Sequence, residues 1–320
     1  MSSLVRDPDP DSGRGVAIPL IERKLATRRP ILGSLRSATS FIRYREGLLM
    51  QGAPLLGAAF AIGRLTPDKV AALGVLAVAS FLLIVHVFLM NDWAGMAGDL
   101  RDPHRTARAL ATDSLGRRAV ADLGIVVLLV SLLLFALLEA RTLLIALAIA
   151  FLSALYSMPR PSGKGIPLLS SAVHLSGGIL HFLLGYSLFS PIDPRGLSIA
   201  VFFGLTITAG HWNHEARDLD ADLLNGIRTN AVAFGREKAF LASAALFAVA
   251  YAYLTVLAGR GLVPRPLRFV GLLYPLQFCA SWATLRSGLC FQSIRRLQIW
   301  YRALFAVIGL GMLAALFFAR

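Results

Sequence analysis

The chain alternates between long apolar runs and short polar connectors. Nine runs of about 17–22 residues recur, at 47–63, 70–90, 119–138, 142–158, 168–189, 196–212, 239–258, 267–285 and 299–319. Each is rich in Leu, Ala, Val and Gly, and turn residues separate them. About 20 apolar residues in a helix cross a hydrocarbon core of ~30 Å. In lipid the backbone must satisfy its own polar groups, so runs of this length predict helices and not open strands. The expected fold is all-α: a polytopic membrane protein of about nine transmembrane helices. Residues 1–40 read as a polar cytoplasmic N-terminal tail and 41–320 as the intramembrane domain.

Composition supports this reading. The chain is 56% hydrophobic with a mean hydropathy of +0.66, beyond the usual range of soluble domains. The opening stretch MSSLVRDPDPDSGRG is polar, reads as disordered, and lacks the apolar core of a cleavable signal peptide. Cys279 and Cys290 show no metal-binding spacing and imply no disulfide framework.

A net charge of +14 raises nucleic acid as a partner. The distribution of the charge argues against it. Nine Lys/Arg fall in residues 1–45, and fourteen more follow the second, fourth, sixth and eighth runs. The other connectors are poorer. That asymmetry matches the positive-inside rule, with the N-terminus in the cytoplasm, and anionic lipid accounts for the rest.

Two connectors on the expected cytoplasmic side are long and acidic. The first, after the second run, is NDWAGMAGDLRDPHRTARALATDSLG. On a continuing helix Asp92 and Asp99, seven residues apart, share a face, and Asn91 lies close to the same stripe. The second connector carries Asp218 and Asp222 at i and i+4, with Asp220 turned away. Stacked carboxylates repel unless a cation sits among them. Oxygen-only ligands favour a hard ion, and Mg²⁺ typically joins a few carboxylates to a substrate phosphate. The alternative is a solvated, salt-bridged rim at the helix ends. Charge at a membrane edge is costly enough to make a functional reading worth pursuing.

These motifs resemble those of the UbiA superfamily of intramembrane prenyltransferases, a family with nine transmembrane helices. Its first motif, NDxxDxxxD, reads Asn91-Asp92-x-x-Gly95-x-x-x-Asp99 here. Its second, DxxxD followed by Gly and Thr or Ser, reads Asp218, Asp222, Gly226 and Thr229. A Tyr-Ser-Pro-Lys string leaving the fourth helix reads Tyr156, Ser157, Pro159 and Lys164. Arg108 and Leu110 approximate the Arg-Pro-Leu string that often follows the first motif. The central aspartate of the first motif is replaced by Gly95, and Asp92, three residues earlier, is the candidate substitute.

The resemblance implies a Mg²⁺-dependent enzyme that moves an isoprenoid from a prenyl diphosphate to a lipophilic or aromatic acceptor within the bilayer, its site facing the cytoplasm. Asp92, Asp99, Asp218 and Asp222 are the expected catalytic carboxylates. With Asn91 they are also the expected metal ligands. Lys164, Arg105, Arg108, Arg228 and Arg43 are expected at the diphosphate, with Arg45 a further candidate. Tyr156, His174, His211 and His214 are expected near the acceptor, with Glu215 behind the metal and His181 and His86 as weaker candidates. Trp93, Trp212 and Trp300 suit the membrane interfaces. Two other readings stay open: a cyclase that ionises a prenyl diphosphate without an acceptor, and a non-enzymatic membrane protein, either a transporter or a degenerate relative.

Overall fold

The computed structural model describes residues 43–318, except 103, 107–109, 111–114 and 159–161, and leaves the Arg45 side chain undescribed. The described residues are helical, with no strand among them. The first apolar run is not one helix. It forms α1 (Tyr44–Met50) and α2 (Gly52–Ala61), divided at Gln51. The chain continues through α3 (Pro67–Asp99), α4 (Arg117–Ala136), α5 (Ala140–Ser157), α6 (Leu169–Phe189), α7 (Pro194–Leu224), the short α8 (Asn230–Phe234) and α9 (Arg236–Gly259). The eighth run divides into a 3₁₀ segment, Arg265–Leu273, and α10 (Tyr274–Arg286); α11 (Phe291–Phe318) follows.

Six of these helices are long and apolar enough to cross a membrane: α3, α4, α5, α6, α9 and α11. The remaining three expected spans are the divided first run, the divided eighth run, and α7, whose C-terminal half is strongly polar.

Proline and capping chemistry set the starts of the two longest helices. Pro67 and Pro194 stand in the first turns of α3 and α7, where a missing N–H costs nothing. Asp193 caps α7 by accepting from the Gly196 amide at 2.6 Å. These helices have 33 and 31 residues, about 50 and 47 Å at 1.5 Å per residue. A hydrocarbon core spans only ~30 Å, so each helix carries a polar extension beyond its apolar run. Asp92 and Asp99 lie on one extension, Asp218 and Asp222 on the other.

Close backbone contact holds the bundle together at α2, α6 and α7. A Cβ at Gly185 would lie 1.7 Å from the Pro54 carbonyl oxygen, and one at Gly57 would lie 2.0 Å from that of Phe182. No side chain fits at either position. Small residues let helices approach closely enough for dispersion and packing to replace the hydrophobic effect that lipid removes. The main core fills the space beneath this crossing with Phe60, Phe135, Phe182, Tyr251 and Leu254 among its buried members.

Candidate active site

The polar extensions of α3 and α7 meet around one arginine. Arg105, in the turn after α3, donates from Nη1 to Asp99 Oδ1 at 3.1 Å, and from Nη2 to Asp218. Its Nε lies 3.3 Å from Asp102 Oδ2. Burial alone would lower the guanidinium pKa, but Asp218, Asp99 and Asp102 together hold it above the ordinary value. Asp218 also receives Arg217 in fork geometry, Nε to Oδ1 at 2.6 Å and Nη2 to Oδ2 at 2.9 Å. Burial would raise the Asp218 pKa; Arg217 and Arg105 outweigh it and hold the carboxyl below its usual range.

Asp222 is placed differently. It is buried, and its cation is Lys164, with Nζ 3.5 Å from Oδ1. Here burial prevails over Lys164 and raises the carboxyl pKa. Lys164 stands on a 3₁₀ turn, Gly163–Gly165, after α5. The loop behind it is anchored by Asn230, whose Oδ1 accepts from the Leu168 amide at 2.7 Å. Leu168 has φ +64°, a left-handed conformation that a leucine adopts only under constraint. Asn230 Nδ2 in turn donates to Ser170, Ser171 and Glu215 at 2.8–3.1 Å.

A cavity of about 30 Å³ lies between the two extensions. Asn91, Asp99, Lys164, Asp222 and Asn225 line it, with Gly95, Gly98, Asp102 and Arg105. Asp92 is not among its lining residues. It is buried and forms an ion pair with Arg43, which also lies over the Phe88 ring at 5.2 Å. Asp220 faces outward and pairs with Arg236 at 2.6 Å.

The histidines divide into two settings. His174 and His211 stack with ring centroids 3.6 Å apart, and Tyr156 meets His174 edge-on at 5.0 Å. His211 Nε2 lies 3.1 Å from Glu215 Oε1 and 3.3 Å from Ser170 Oγ. His214 Nε2 lies 3.1 Å from Arg302 on α11. His86 is tied to the Gly124 carbonyl at 2.9 Å, joining α3 to α4, and His181 to the Gly177 carbonyl at 2.7 Å. Arg228 is exposed and does not line the cavity. Arg108 and Pro159 lie outside the described residues. Trp93 stands under Arg117 at 5.1 Å, Trp212 stacks on Phe234 at 6.2 Å, and Trp300 is exposed. Cys279 and Cys290 are free and exposed.

Several residues of this arrangement carry no motif. Arg217 Nη1 reaches Gln298 Oε1 at 2.5 Å, and Gln298 Nε2 reaches Asn213 Oδ1 at 3.1 Å. Phe291 lies beneath Arg217 at 5.4 Å and stacks on His104 at 3.7 Å. Arg217 had a signal in its position next to Asp218. Gln298 and Phe291 had none, because their partners come from distant segments.

The chemistry of the cluster is that of oxygen ligands balanced by cations. Among the described residues no three Asp, Glu, His or Cys side chains stand close enough to form a metal site unaided. Residues bearing oxygen ligands line the cavity from both helices; Asn225 is one of them, and its Oδ1 is buried without a hydrogen-bond partner. That donor set suits a hard cation shared with a phosphate-bearing ligand, for which Lys164 and Arg105 supply further positive charge.

The model of the UbiA prenyltransferase family matches residues 52–298. A UbiA homologue from Archaeoglobus fulgidus, solved with GPP and Mg²⁺, is 16% identical with a TM-score of 0.66, over 86% of this chain and 99% of that one. The homologue from the same organism bound to DMAPP and Mg²⁺ is 18% identical, with a TM-score of 0.63 over 84% and 98%. The apo UbiA homologue from Aeropyrum pernix K1 is 18% identical, with a TM-score of 0.65 over 85% and 98%. At these identities the likeness is one of fold. The comparison with curated proteins gave no match.

Proposed function

The chain belongs to the UbiA prenyltransferase family, and on that premise we propose that it moves an isoprenoid from a prenyl diphosphate to a lipophilic, aromatic acceptor, with Mg²⁺ as cofactor. The observation that carries the reading is the junction of the two acidic extensions, Asp99 and Asp218 on one guanidinium with Asp222 on Lys164 beside them. Structures of similar fold were solved with DMAPP or GPP together with Mg²⁺.

Asn91, Asp99 and Asp222 are the residues proposed to hold Mg²⁺, with Asp218 nearby under the control of Arg105 and Arg217. Bound there, Mg²⁺ supplies positive charge to the departing diphosphate. Lys164, Arg105 and Arg43 share that task and orient the donor. The C1–O bond of the donor breaks and its electron pair leaves with diphosphate. C1 then bonds to a ring carbon of the acceptor, which afterwards loses a proton. His211, backed by Glu215 at 3.1 Å, is the proposed recipient. Tyr156 and His174 present flat faces and edges on which an aromatic acceptor can pack. Apolar helix walls exclude water from the allylic cation. The Lys/Arg asymmetry supports a cytoplasm-facing site.

The test is diphosphate release by purified protein in lipid with Mg²⁺. Release that requires an aromatic acceptor supports a transferase. Release without acceptor, accompanied by a cyclic product, makes it a cyclase. No release with any donor length would sink the enzymatic reading.

A further inference from the structure

We infer that Asn225 supplies an oxygen ligand to the cation held between α3 and α7. The inference rests on the cation-dependent reading above and deepens it, because no motif marks this residue.

Asn225 closes the C-terminus of α7. Its Nδ2 donates to the Ala221 carbonyl at 2.9 Å and lies 3.3 Å from the Gly98 carbonyl. Both neighbours are acceptors only, so the nitrogen must face them and the amide has no alternative flip. Oδ1 is thereby fixed in the opposite direction. It is buried, and no described residue donates to it. A buried acceptor with nothing to accept from has lost its water without compensation. It calls for a ligand.

The surroundings show which kind. Asn225 lines the same cavity as Asn91, Asp99 and Asp222. At about 30 Å³ the cavity has room for one water-sized occupant and not for a prenyl chain. Its wall at Gly95 contributes no side chain, and a Cβ there would meet only the Asp99 carboxylate, at 3.8 Å. Carboxylates alone do not complete a metal site among the described residues. Hard cations accept amide oxygens as readily as carboxylate oxygens. Asn225 adds such an oxygen from the helix opposite Asn91. Gly98 is what admits it, since a Cβ at Gly98 would stand 3.1 Å from both Cγ and Oδ1 of Asn225.

The experiment uses Mn²⁺ alone as the probe, without donor or acceptor. Free Mn²⁺ is followed by electron paramagnetic resonance during titration of the full chain in lipid nanodiscs, and melting temperature is recorded in chelator. Asn225→Ala removes both the oxygen and the two donor bonds. Asn225→Asp removes only the donor bonds and keeps an oxygen in the place of Oδ1. Both variants are expected to melt lower in chelator. Asn225→Ala should weaken Mn²⁺ binding at least about tenfold, since even changes one shell away cost ~10–100-fold. Asn225→Asp should bind Mn²⁺ at least as tightly as the parent. Unchanged affinity in Asn225→Ala, or equal loss in both variants, would overturn the ligand role and leave Asn225 as a structural cap. A parent that takes up no Mn²⁺ would overturn the cation reading itself, and this inference with it.

Discussion

Asp99 and Asp218 are bound by the two terminal nitrogens of one guanidinium, that of Arg105, which lies 6 residues from the first and 113 from the second. One side chain therefore joins the two acidic motifs. Removing it takes their shared cation from Asp99, Asp102 and Asp218, of which Asp218 still keeps Arg217. Arg105→Ala is expected to cost about 2 kcal/mol of stability, below the range for fully buried pairs because Arg105 keeps some solvent contact. Added Mg²⁺ should raise the melting temperature of Arg105→Ala more than that of the parent, because the ion can take over the guanidinium's charge. A melting curve with and without Mg²⁺ checks this; equal Mg²⁺ increments would refute it.

Asp218 and Asp222 are expected to differ. Asp218 is occupied by two arginines, whereas Asp222 lines the cavity with Lys164 as its ion-pair partner. Asp222→Asn should lower diphosphate release roughly 10²-fold or more and raise the Mg²⁺ concentration needed for half-maximal rate. Asp218→Asn should lower the rate with a smaller shift in Mg²⁺ requirement. Initial rates against Mg²⁺ for both variants decide the matter.

The anchor behind Lys164 is open to a separate test. Asn230→Ala releases the Leu168 loop and removes the Nδ2 donor from buried Glu215, while the backbone N–H of residue 230 still donates to it. A loss of about 2–3 kcal/mol is expected, since bonds to a charged group count ~1.5–3 kcal/mol each. Because the loop carries Lys164, KM for the prenyl diphosphate should rise more than kcat falls. A fall in kcat alone would show that the loop does not position the lysine.

Asp92 is the expected substitute for the aspartate missing at position 95, and the two positions stand in different surroundings. Asp92 pairs with Arg43, while Gly95 lines the cavity. Asp92→Asn is therefore expected to lower stability by about 1–3 kcal/mol with little change in Mg²⁺ requirement. Gly95→Asp should fit beside Asp99 and strengthen Mn²⁺ binding. An Asp92→Asn enzyme that loses its Mg²⁺ dependence would restore Asp92 as a metal ligand.

The crossing of α2 and α6 should tolerate no side chain. Gly185→Ala places a methyl group 1.7 Å from the Pro54 carbonyl oxygen. Helix separation must then increase, at a cost of about 3 kcal/mol or more. Yield and melting temperature in detergent report it. Gly177→Ala, on the same helix with open space around it, is the control and should behave as the parent.

Helix type and approximate extent were legible because they depend on local composition. Runs of apolar residues long enough to span lipid leave helix as the available state; α4, α5, α6 and α9 follow those runs closely, while α3 and α11 extend beyond theirs. The break at Gln51 had a local signal in Gly52 and Pro54, which hydropathy alone passes over. The Gln51 side chain shares a hydrogen bond with Ser80 at 2.7 Å, a partner that only packing supplies. The acidic spacing likewise indicated which carboxylates share a helix face. It could not indicate which cation each would meet.

The sequence by itself determined the helical membrane architecture, the family resemblance and the oxygen-rich chemistry at two helix ends, because periodicity and hydropathy act within a few turns of one segment. Only the tertiary structure decided the partners: Arg43 for Asp92, Arg105 and Arg217 for Asp218, Lys164 for Asp222, and the turned amide of Asn225. Those choices depend on how deeply helices approach at contacts such as Gly57–Phe182 and Gly98–Asn225. Charge attraction selects among groups within a few ångströms, and packing across a hundred residues of chain sets which groups those are.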